Sequence, residues 1–385
     1  RLVLLDENKP KKIENEYWFM PFCLNNAQIF FKASQEELQA LATLEKPIIK
    51  LKPKSIFVDF FDNRFVPCIL PYEPVLVLLT KFLNDYSGLY LLPAKDGELS
   101  KPYCYFFRED FKTQEIKPFF VSVGKNSLVL KHSFKALENP LQEQAILVEE
   151  FRKIILKEDL QRVNAIYLGD GQTRFMLYFN HAFKDSLELH YESNIALRID
   201  ELKMLNQTTQ SLLKNFTKEN ALLIDTLESL PRESRLSSNI LELLGMCGIL
   251  LDFEEDYNNP INLLALGDKV VKCASDFVGQ KGPRIDFKLE RDTQGGVYLD
   301  TLKTLRSVMS FKLAGVEKEL LCFGILDSLA EFYANFARDM EETYNTKGII
   351  IGGKMFLNKQ FLDQFIHYFP KDSEIFNTEI SDFIH

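Results

Sequence analysis

The sequence predicts a mixed α/β fold over 385 residues. Its first part has short runs of β-branched and aromatic residues broken by prolines and turn residues, which is typical of strands in a mixed sheet. Its second part, from Ile195 onward, has apolar residues at helical spacing, which predicts a succession of α-helices. An apolar content of 46% at this length is enough for two or three domains with well-filled cores.

Strands and helices alternate in the first hundred residues. Helical spacing covers 33–45 and 72–83, and Ser34 with Glu37 has the pattern of a capping box at the start of the first of these helices. The predicted strands are IFVDF (56–60), VPCIL (66–70) and GLYLL (88–92). A small α/β unit is therefore expected, and the charged, aromatic stretch at 95–117 is interpreted as the linker that ends it.

The rest of the chain begins with strands and continues in helices. A hairpin around Gly124-Lys125-Asn126 is predicted first, followed by a helix at 141–157 and strands at 164–168 and 174–179. The further predicted helices are 195–214, 220–230, 237–250, 262–277, 299–312 and 316–344. The last of them carries an apolar stripe at intervals of three and four residues: Ile325, Leu329, Phe332, Phe336 and Met340. Such a stripe predicts a helix that faces the core.

Composition excludes several classes of protein. A net charge of −9 without a long Lys/Arg cluster argues against nucleic acid as the main partner. The six cysteines include no C-x-x-C pair, so we predict reduced thiols and no structural zinc. The apolar stretch at 241–251 is too short to span a membrane, so no membrane insertion is expected. The first residues lack the pattern of a secretory signal, and we expect a cytoplasmic location.

Three motifs of the first part occur in a recognisable order. MPFCL begins at Met20, ATLEKPIIKLKPKS covers 42–55, and VPCILPYEPVLVLL begins at Val66. They resemble the K-P-F-A-L, S-P-x-R-P-I-V-L-L-x-R-R and V-M-L-P-Y-T-P-L-H-H-L-L motifs of HypF, the carbamoyltransferase family of nickel–iron hydrogenase maturation. The resemblance implies a partial YrdC-like α/β module over 1–117, the module that in this family makes carbamoyl-adenylate from ATP and carbamoyl phosphate.

The second part is similar to the same family from about Pro118 to the end. The similar stretches are VGKNSLVLKHSFKALENP from Val123, ESRLSSNILELLGMC at 233–247, DSLAE at Asp327 and IIIGGKMFLNKQFL at 349–362. The resemblance implies a degenerate carbamoyl-transfer domain of the ASKHA (actin/Hsp70-like) fold over 118–385, with a helix-rich second half. Its sub-lobes are expected at about 118–200 and 201–385.

The family's metal site has no counterpart in the sequence. The resemblance implies a metal held by two histidines of H-H-H-A-H and by aspartates of D-G-T-G-Y-G and N-D-G-G. The matching stretch is FNHAF at 179–183, where Phe179 and Phe183 occupy both ligand positions and His181 lies between them. A benzyl ring has no lone pair for a metal, and the two aspartate motifs do not occur. We therefore predict no metal site and no catalytic residue.

A glycine pair is the main remnant of the family's nucleotide site. Gly352 and Gly353 match the S-G-G motif, and Asn358 is in register with its asparagine. Without Cβ atoms, the pair could bring backbone N–H groups to an anion at the following helix N-terminus, with Lys354 nearby. The alternative is a tight turn at the end of a strand that requires a positive φ angle.

The other expected nucleotide contacts are partly lost. Arg235 matches the arginine of the family's G-R-L-F-D motif, but Ser238 replaces its ribose-binding aspartate. Asp170, between two glycines, is interpreted either as a phosphate contact or as part of a simple turn. In the first module, Met20 replaces the lysine of K-P-F-A-L, and the charged loop at 91–102 replaces a hydroxyl-rich nucleotide loop.

The leading hypothesis is a non-catalytic HypF-like accessory protein of hydrogenase maturation that acts as a scaffold or binding partner. The expected partner is a hydrogenase maturation protein or a hydrogenase subunit. No cofactor is expected, and weak binding of ATP is left open. The alternative is a divergent ATP-dependent carbamoyltransferase that holds nucleotide with Gly352, Gly353, Asp170 and Arg235. A tRNA-modifying enzyme is disfavoured by the acidic composition.

Overall fold

Two α/β units make up the structure, a computed structural model in which the chain divides into Arg1–His132 (unit 1) and Ser133–His385 (unit 2). The mixed α/β class predicted from the sequence is confirmed. The structure describes residues 2–4, 17–61, 65–83, 86–91, 119–124, 128–136, 143–187, 189–253, 261–277, 279, 281–291, 297–378 and 382–384. Residues 92–102 of the charged loop noted at 91–102, and the whole linker predicted at 95–117, lie outside the described residues.

The described strands of unit 1 form one mixed sheet in the order β1-β5-β2-β4-β3-β6-β7. In chain order the elements of this unit are β1 (Leu2–Leu4), β2 (Trp18–Pro21), α1 (Leu24–Phe30), α2 (Gln35–Ala42), β3 (Ile48–Leu51), β4 (Val66–Cys68), α3 (Pro74–Phe82), β5 (Gly88–Leu91), β6 (Phe120–Val123) and β7 (Val129–Lys131). The capping box predicted for α2 is confirmed, since the Ser34 hydroxyl accepts from Glu37 N and the Glu37 carboxylate accepts from Ser34 N.

Side chains of the unit 1 sheet alternate between two apolar cores. Phe19 belongs to an aromatic cluster on one face and makes an edge-to-face contact with Phe61 at 5.1 Å between ring centroids. Met20, the next residue, packs with Ile48 and Leu76 on the other face and is fully buried. The thioether that replaces the family's lysine therefore fills a core position, where an ammonium group would be desolvated.

The strand predicted at 56–60 is wrong. These residues form a 3₁₀ helix, Ser55–Phe60, in which Phe57 and Phe60 both pack against the aromatic cluster. Because residues three apart lie above one another in a 3₁₀ helix, one turn brings both rings to the same side. The tertiary contact with the aromatic core outweighs the β preference of isoleucine, valine and phenylalanine.

The boundary between the units lies later than the boundary predicted at 117/118. The predicted hairpin after Pro118 is present as β6 and β7, which are antiparallel to each other. However, β6 also pairs in parallel with β3, so both strands belong to the unit 1 sheet. The contact boundary consequently lies between His132 and Ser133.

Unit 2 contains the other described strands and helices. They are β8 (Phe134–Ala136), α4 (Glu143–Lys157), β9 (Val163–Leu168), β10 (Thr173–Phe179), β11 (Ala182–Leu187), β12 (Tyr191–Glu192), α5 (Ile195–Met204), α6 (Gln207–Glu219), α7 (Ala221–Ser229), β13 (Leu236–Ser237), α8 (Ile240–Leu250), α9 (Leu263–Asp276), β14 (Leu289–Arg291), β15 (Val297–Leu299), α10 (Thr301–Leu313), α11 (Lys318–Tyr344), β16 (Ile349–Gly352), α12 (Lys359–Tyr368), β17 (Ile375–Asn377) and β18 (Asp382–Ile384). The single helix predicted at 195–214 is two helices, because Asn206 caps α6 by accepting from Thr209 N.

The central sheet of unit 2 has the strand order β11-β10-β9-β16-β17. β9, β10 and β11 form an antiparallel meander, whereas β16 is parallel to both β9 and β17. Gly352 at the end of β16 pairs with Tyr167 near the end of β9. The turn after β9 and the residues after β16 therefore meet at one edge of the sheet, where ligands of α/β proteins usually bind.

Helix α11 is the core helix of unit 2. Within the described part of the chain it is the one helix long and apolar enough to cross a membrane. However, 67% of its most apolar window is buried inside the protein. Leu321, Ile325 and Leu329 are fully buried, as expected for a helix that faces the core.

Candidate functional site

The glycine pair lies where β16 ends beside the end of β9. Gly353 has a φ angle of +96°, a conformation that residues with a Cβ atom rarely adopt. A Cβ atom at this position would lie 2.5 Å from the carbonyl carbon and oxygen of Leu168. The tight turn and its contact with β9 therefore explain the glycine at this position, and no ligand is needed to explain it.

The chain does not enter an α-helix directly after the glycine pair. A four-residue 3₁₀ helix, Lys354–Leu357, follows first, and α12 begins only at Lys359. Asn358 is the N-cap of α12, where its side-chain oxygen accepts from Phe361 N at 3.0 Å. Its amide nitrogen donates to the hydroxyl of Ser275 in α9 at 3.2 Å. Both polar atoms of the Asn358 side chain are thus used, the oxygen to cap α12 and the nitrogen to contact α9.

Lys354 is the centre of a charged cluster at this edge. Its Nζ donates to Asp170 Oδ1 at 3.0 Å and to Asp268 Oδ2 at 2.7 Å. Asp170 lies in the turn between β9 and β10, and Asp268 lies on α9. Burial lowers the pKa of the Lys354 ammonium, but hydrogen bonds with Asp268 and Asp170 outweigh burial and raise its pKa above the ordinary value for lysine.

Several carboxylates surround Lys354 and the neighbouring turn. One ammonium faces two carboxylates, each of them partly exposed. A third carboxylate is close, because a Cβ atom on Gly171 would lie 2.6 Å from Glu143 Oε2. In this arrangement Lys354 is engaged by two carboxylates, so its ammonium would have to leave them to contact a phosphate group.

Asn239 holds the β9–β10 turn in place. Its side chain is buried, and its amide nitrogen donates to the carbonyl oxygens of Gly169, at 3.2 Å, and of Asp170. Its side-chain oxygen accepts from Leu241 N at 2.9 Å and caps α8. Sequence reasoning missed Asn239, although an asparagine directly before an apolar helix is an N-cap signal. It also missed Asp268, for which no local signal exists.

Arg235 is paired with a carboxylate. Its guanidinium donates to Glu242 Oε1 of α8 at 2.6 Å, and its backbone N–H donates to Glu192 Oε1 at 2.9 Å. The two cations that the sequence analysis placed near phosphate, Arg235 and Lys354, are thus both engaged with carboxylates.

The FNHAF stretch is a hairpin, and its residues do not fit the family's metal. Asn180 and His181 are the two turn residues between β10 and β11, with φ angles of 50° and 62°. His181 is exposed at the tip of this turn. Phe179 lies against the guanidinium of Arg162, 4.8 Å from the ring centroid. Among the described residues, no group of three or more His, Cys, Asp or Glu side chains has the arrangement of a metal site.

Comparisons with solved structures show the fold of the chain. A crystal structure of full-length HypF, titled as its phosphate- and nucleotide-bound form, superposes with a TM-score of 0.60 at 12% identity over 96% of this chain. HypF of T. kodakarensis superposes with a TM-score of 0.61 at 11% identity over 95%. The chain spans 64% and 65% of the length of these two HypF chains. The resemblance to HypF is therefore confirmed at the level of the fold.

Comparison of sequences identifies a relative. No protein-family model matches the chain. Protein HydE of Wolinella succinogenes is 32% identical over 388 aligned residues, which cover 97% of this chain and 68% of that protein. Identity at this level over nearly the whole chain means a shared fold and common descent. The chain belongs to the family of Wolinella succinogenes HydE.

Proposed function

We propose that the protein is a non-catalytic accessory protein of nickel–iron hydrogenase maturation that acts by binding a partner. Its membership in the HydE family and its HypF fold support a place in this process. The proposal includes a YrdC-like first unit, an ASKHA-type second unit and a cytoplasmic location. The partner is a hydrogenase maturation protein or a hydrogenase subunit.

The ion pairs of Lys354 carry the non-catalytic part of the proposal. At the sheet edge where a nucleotide would bind, the ammonium group is held between Asp170 and Asp268. A lysine that stabilises a transferring group must be free to face that group. The replacement of both histidine ligands by Phe179 and Phe183 and the buried Met20 support the same conclusion.

Calorimetry with ATP and Mg²⁺ tests whether the site is inert. We expect no binding heat at millimolar nucleotide and no ATP cleavage when carbamoyl phosphate is added. The double variant Asp170→Asn, Asp268→Asn is the informative control. It removes both carboxylates from Lys354, while the hydrogen bonds from Asn239 still hold the β9–β10 turn. Nucleotide binding by the unmodified chain would contradict the proposal.

Affinity capture from the native host tests the maturation role. The tagged chain should retain a hydrogenase maturation protein or a hydrogenase subunit, identified by mass spectrometry against a tagged unrelated chain. Capture without any component of the hydrogenase pathway would count against this role even if the calorimetry showed no nucleotide binding.

A divergent ATP-dependent carbamoyltransferase is the second candidate. One observation favours it: Asp170, Gly353 and Lys354 meet at the carboxyl ends of parallel strands, the usual ligand crevice of α/β sheets. This candidate predicts ATP cleavage that depends on carbamoyl phosphate and is lost in the Lys354→Met variant. The calorimetry described above separates the two candidates.

A further inference from the structure

A groove of about 480 Å³ lies in unit 2, away from the glycine pair. Residues 284–289, which lead into β14, form one side. The other side consists of residues of α11: Ser328, Glu331, Phe332, Asn335, Phe336 and Asp339. Arg284 and Glu331 form an ion pair between the two sides. This volume is within the range of about 300–1,000 Å³ that is usual for ligand sites. The groove contains none of the residues that the sequence resemblance assigned to nucleotide or metal.

The chain along the groove continues β14 toward its amino-terminal side. From Arg284 to Lys288, exposed and buried side chains alternate, as in a β-strand. Asp286 directs its backbone toward α10, since its N–H donates to Ser307 Oγ at 3.2 Å and its carbonyl accepts from Thr304 Oγ1 at 2.8 Å. The carbonyl of Lys288 accepts from Asp300 N at 2.8 Å, next to β15.

Residues 284–288 precede β14, and successive residues of an extended chain direct their backbone groups to opposite sides, so Ile285 and Phe287 are expected to face away from α10. Ile285 N–H donates to Ser328 Oγ of α11 at 2.9 Å. The N–H and carbonyl groups of Phe287 have no hydrogen-bond partner among the described residues, although Phe287 is only 8% exposed. In the described part of the chain, β14 pairs with β15 alone, so its other edge is unpaired.

The facing surface of α11 has a polar side chain and two partly exposed rings, Phe332 beside Phe287 and Phe336 beside Phe175. The half-buried amide of Asn335 has no hydrogen-bond partner within the residues that the structure describes. Phe332 and Phe336, which the sequence analysis assigned to the core stripe, are only half-buried and line the groove. Buried backbone groups usually have partners, and an unpaired strand edge is a template for another strand.

We infer that this groove binds an extended peptide segment of a partner protein, which adds to β14 as a third strand. The peptide backbone pairs with the N–H and carbonyl of Phe287, and alternate apolar side chains pack on Phe332 and Phe336. Strand addition takes its affinity from main-chain hydrogen bonds and its specificity from pockets for alternate side chains. This inference rests on the proposed function, because it names the surface that would bind the partner, and affinity capture from the native host tests that function separately.

Peptide selection on the full chain tests this site. Random 12-residue peptides displayed on phage are selected against the immobilised protein, and the affinities of synthetic copies are measured by fluorescence anisotropy. The Asn335→Trp variant fills the groove and should weaken binding at least about tenfold. Glu342→Trp, an exposed position on the same helix outside the groove, should leave the affinity unchanged.

N-methylation of the peptide backbone tests strand pairing without changing the protein. Methylation at every second central position should weaken binding about tenfold, and methylation at the intervening positions should have little effect. Hydrogen exchange at 284–289 should slow when peptide is bound. The proposal is overturned if no peptide is enriched, if the two tryptophan variants bind alike, or if the methylation pattern lacks a period of two.

Discussion

Two turns of the same sheet, at opposite ends of β10, differ in what surrounds them. The β9–β10 turn contains Asp170 and is contacted by Asn239 and Lys354, which come from separate parts of the chain. The β10–β11 turn consists of Asn180 and His181 and is exposed to solvent. The motif resemblance placed the family's metal chemistry at the second turn, whereas polar groups converge at the first.

The difference follows from strand direction. β16 is parallel to β9, so residues that follow either strand reach the same edge of the sheet. The β10–β11 turn lies at the other end of the antiparallel meander, where β16 contributes only its first residues. The topology of the sheet therefore decides which turn can become a site. A short motif match does not decide this, because it carries no information about which distant residues surround the turn.

The largest effect is expected from Gly353→Ala, which disrupts the first turn. The positive φ angle and the contact of the new Cβ with the Leu168 backbone together should lower the free energy of unfolding by about 3 kcal/mol. Gly315→Ala is the matched control, because Gly315 has a φ angle of +74° with open space around its Cβ position, and should lose only about 1 kcal/mol. Denaturant unfolding measures both variants. Equal losses would show that the contact with Leu168 is unimportant.

Asn239→Ala should have the next largest effect. It removes the donors to Gly169 and Asp170 and the cap of α8, and the expected loss is about 2 kcal/mol. Asn215→Ala, at an exposed position of α6, should change stability by less than about 0.5 kcal/mol. Urea unfolding of both variants checks the comparison, and a loss for Asn239→Ala as small as that of the control would contradict the role given to Asn239.

Lys354→Met should cost about 1 kcal/mol at neutral pH, because the ion pairs are partly exposed. The folded-state pKa of Lys354 is raised, so its contribution is fully present below the unfolded pKa of about 10.4 and is lost as pH rises through the folded pKa. The stability difference between the two proteins should therefore shrink only at strongly alkaline pH. Lys184→Met, on the exposed side of β11, should show neither effect. Thermal unfolding at pH 7 and at a strongly alkaline pH, above the raised folded-state pKa of Lys354, distinguishes these outcomes.

The smallest effect is expected at the second turn. His181 already has a left-handed conformation that glycine also adopts, so His181→Gly should change stability by less than about 0.5 kcal/mol. Thermal unfolding with and without Ni²⁺ or Zn²⁺ checks both stability and metal binding. A metal-dependent rise in melting temperature that this variant abolishes would restore the second turn as a metal site.

Local features of the fold were predictable where neighbouring residues decide them. The capping box of α2 depends on Ser34 and Glu37, three residues apart, and the strands β9 and β10 follow from their own apolar runs. The 3₁₀ helix at Ser55–Phe60 was not predictable, because packing of Phe57 and Phe60 on a distant aromatic cluster decides it. The half-buried position of Phe336 likewise depends on what lies opposite α11.

The candidate site was predictable only in part. Gly353 and Asp170 were identified from their motifs. They are 183 positions apart in the sequence, and neither motif predicts that the two residues lie close together. Asp268, the second partner of Lys354, is 86 residues away from it and lies on a helix whose sequence pattern gives no sign of a charge contact. Only the folded chain shows that the lysine is already paired.

The sequence by itself determined the α/β class, most of the strands and helices, and the absence of nitrogen ligands at 179 and 183, since each of these depends on residue type and local spacing. The tertiary structure alone decided which charges meet, which turn they surround and which strand edge stays unpaired. Coulomb and hydrogen-bond energies depend on distance in space, and distance in space is fixed by strand direction and packing rather than by position along the chain.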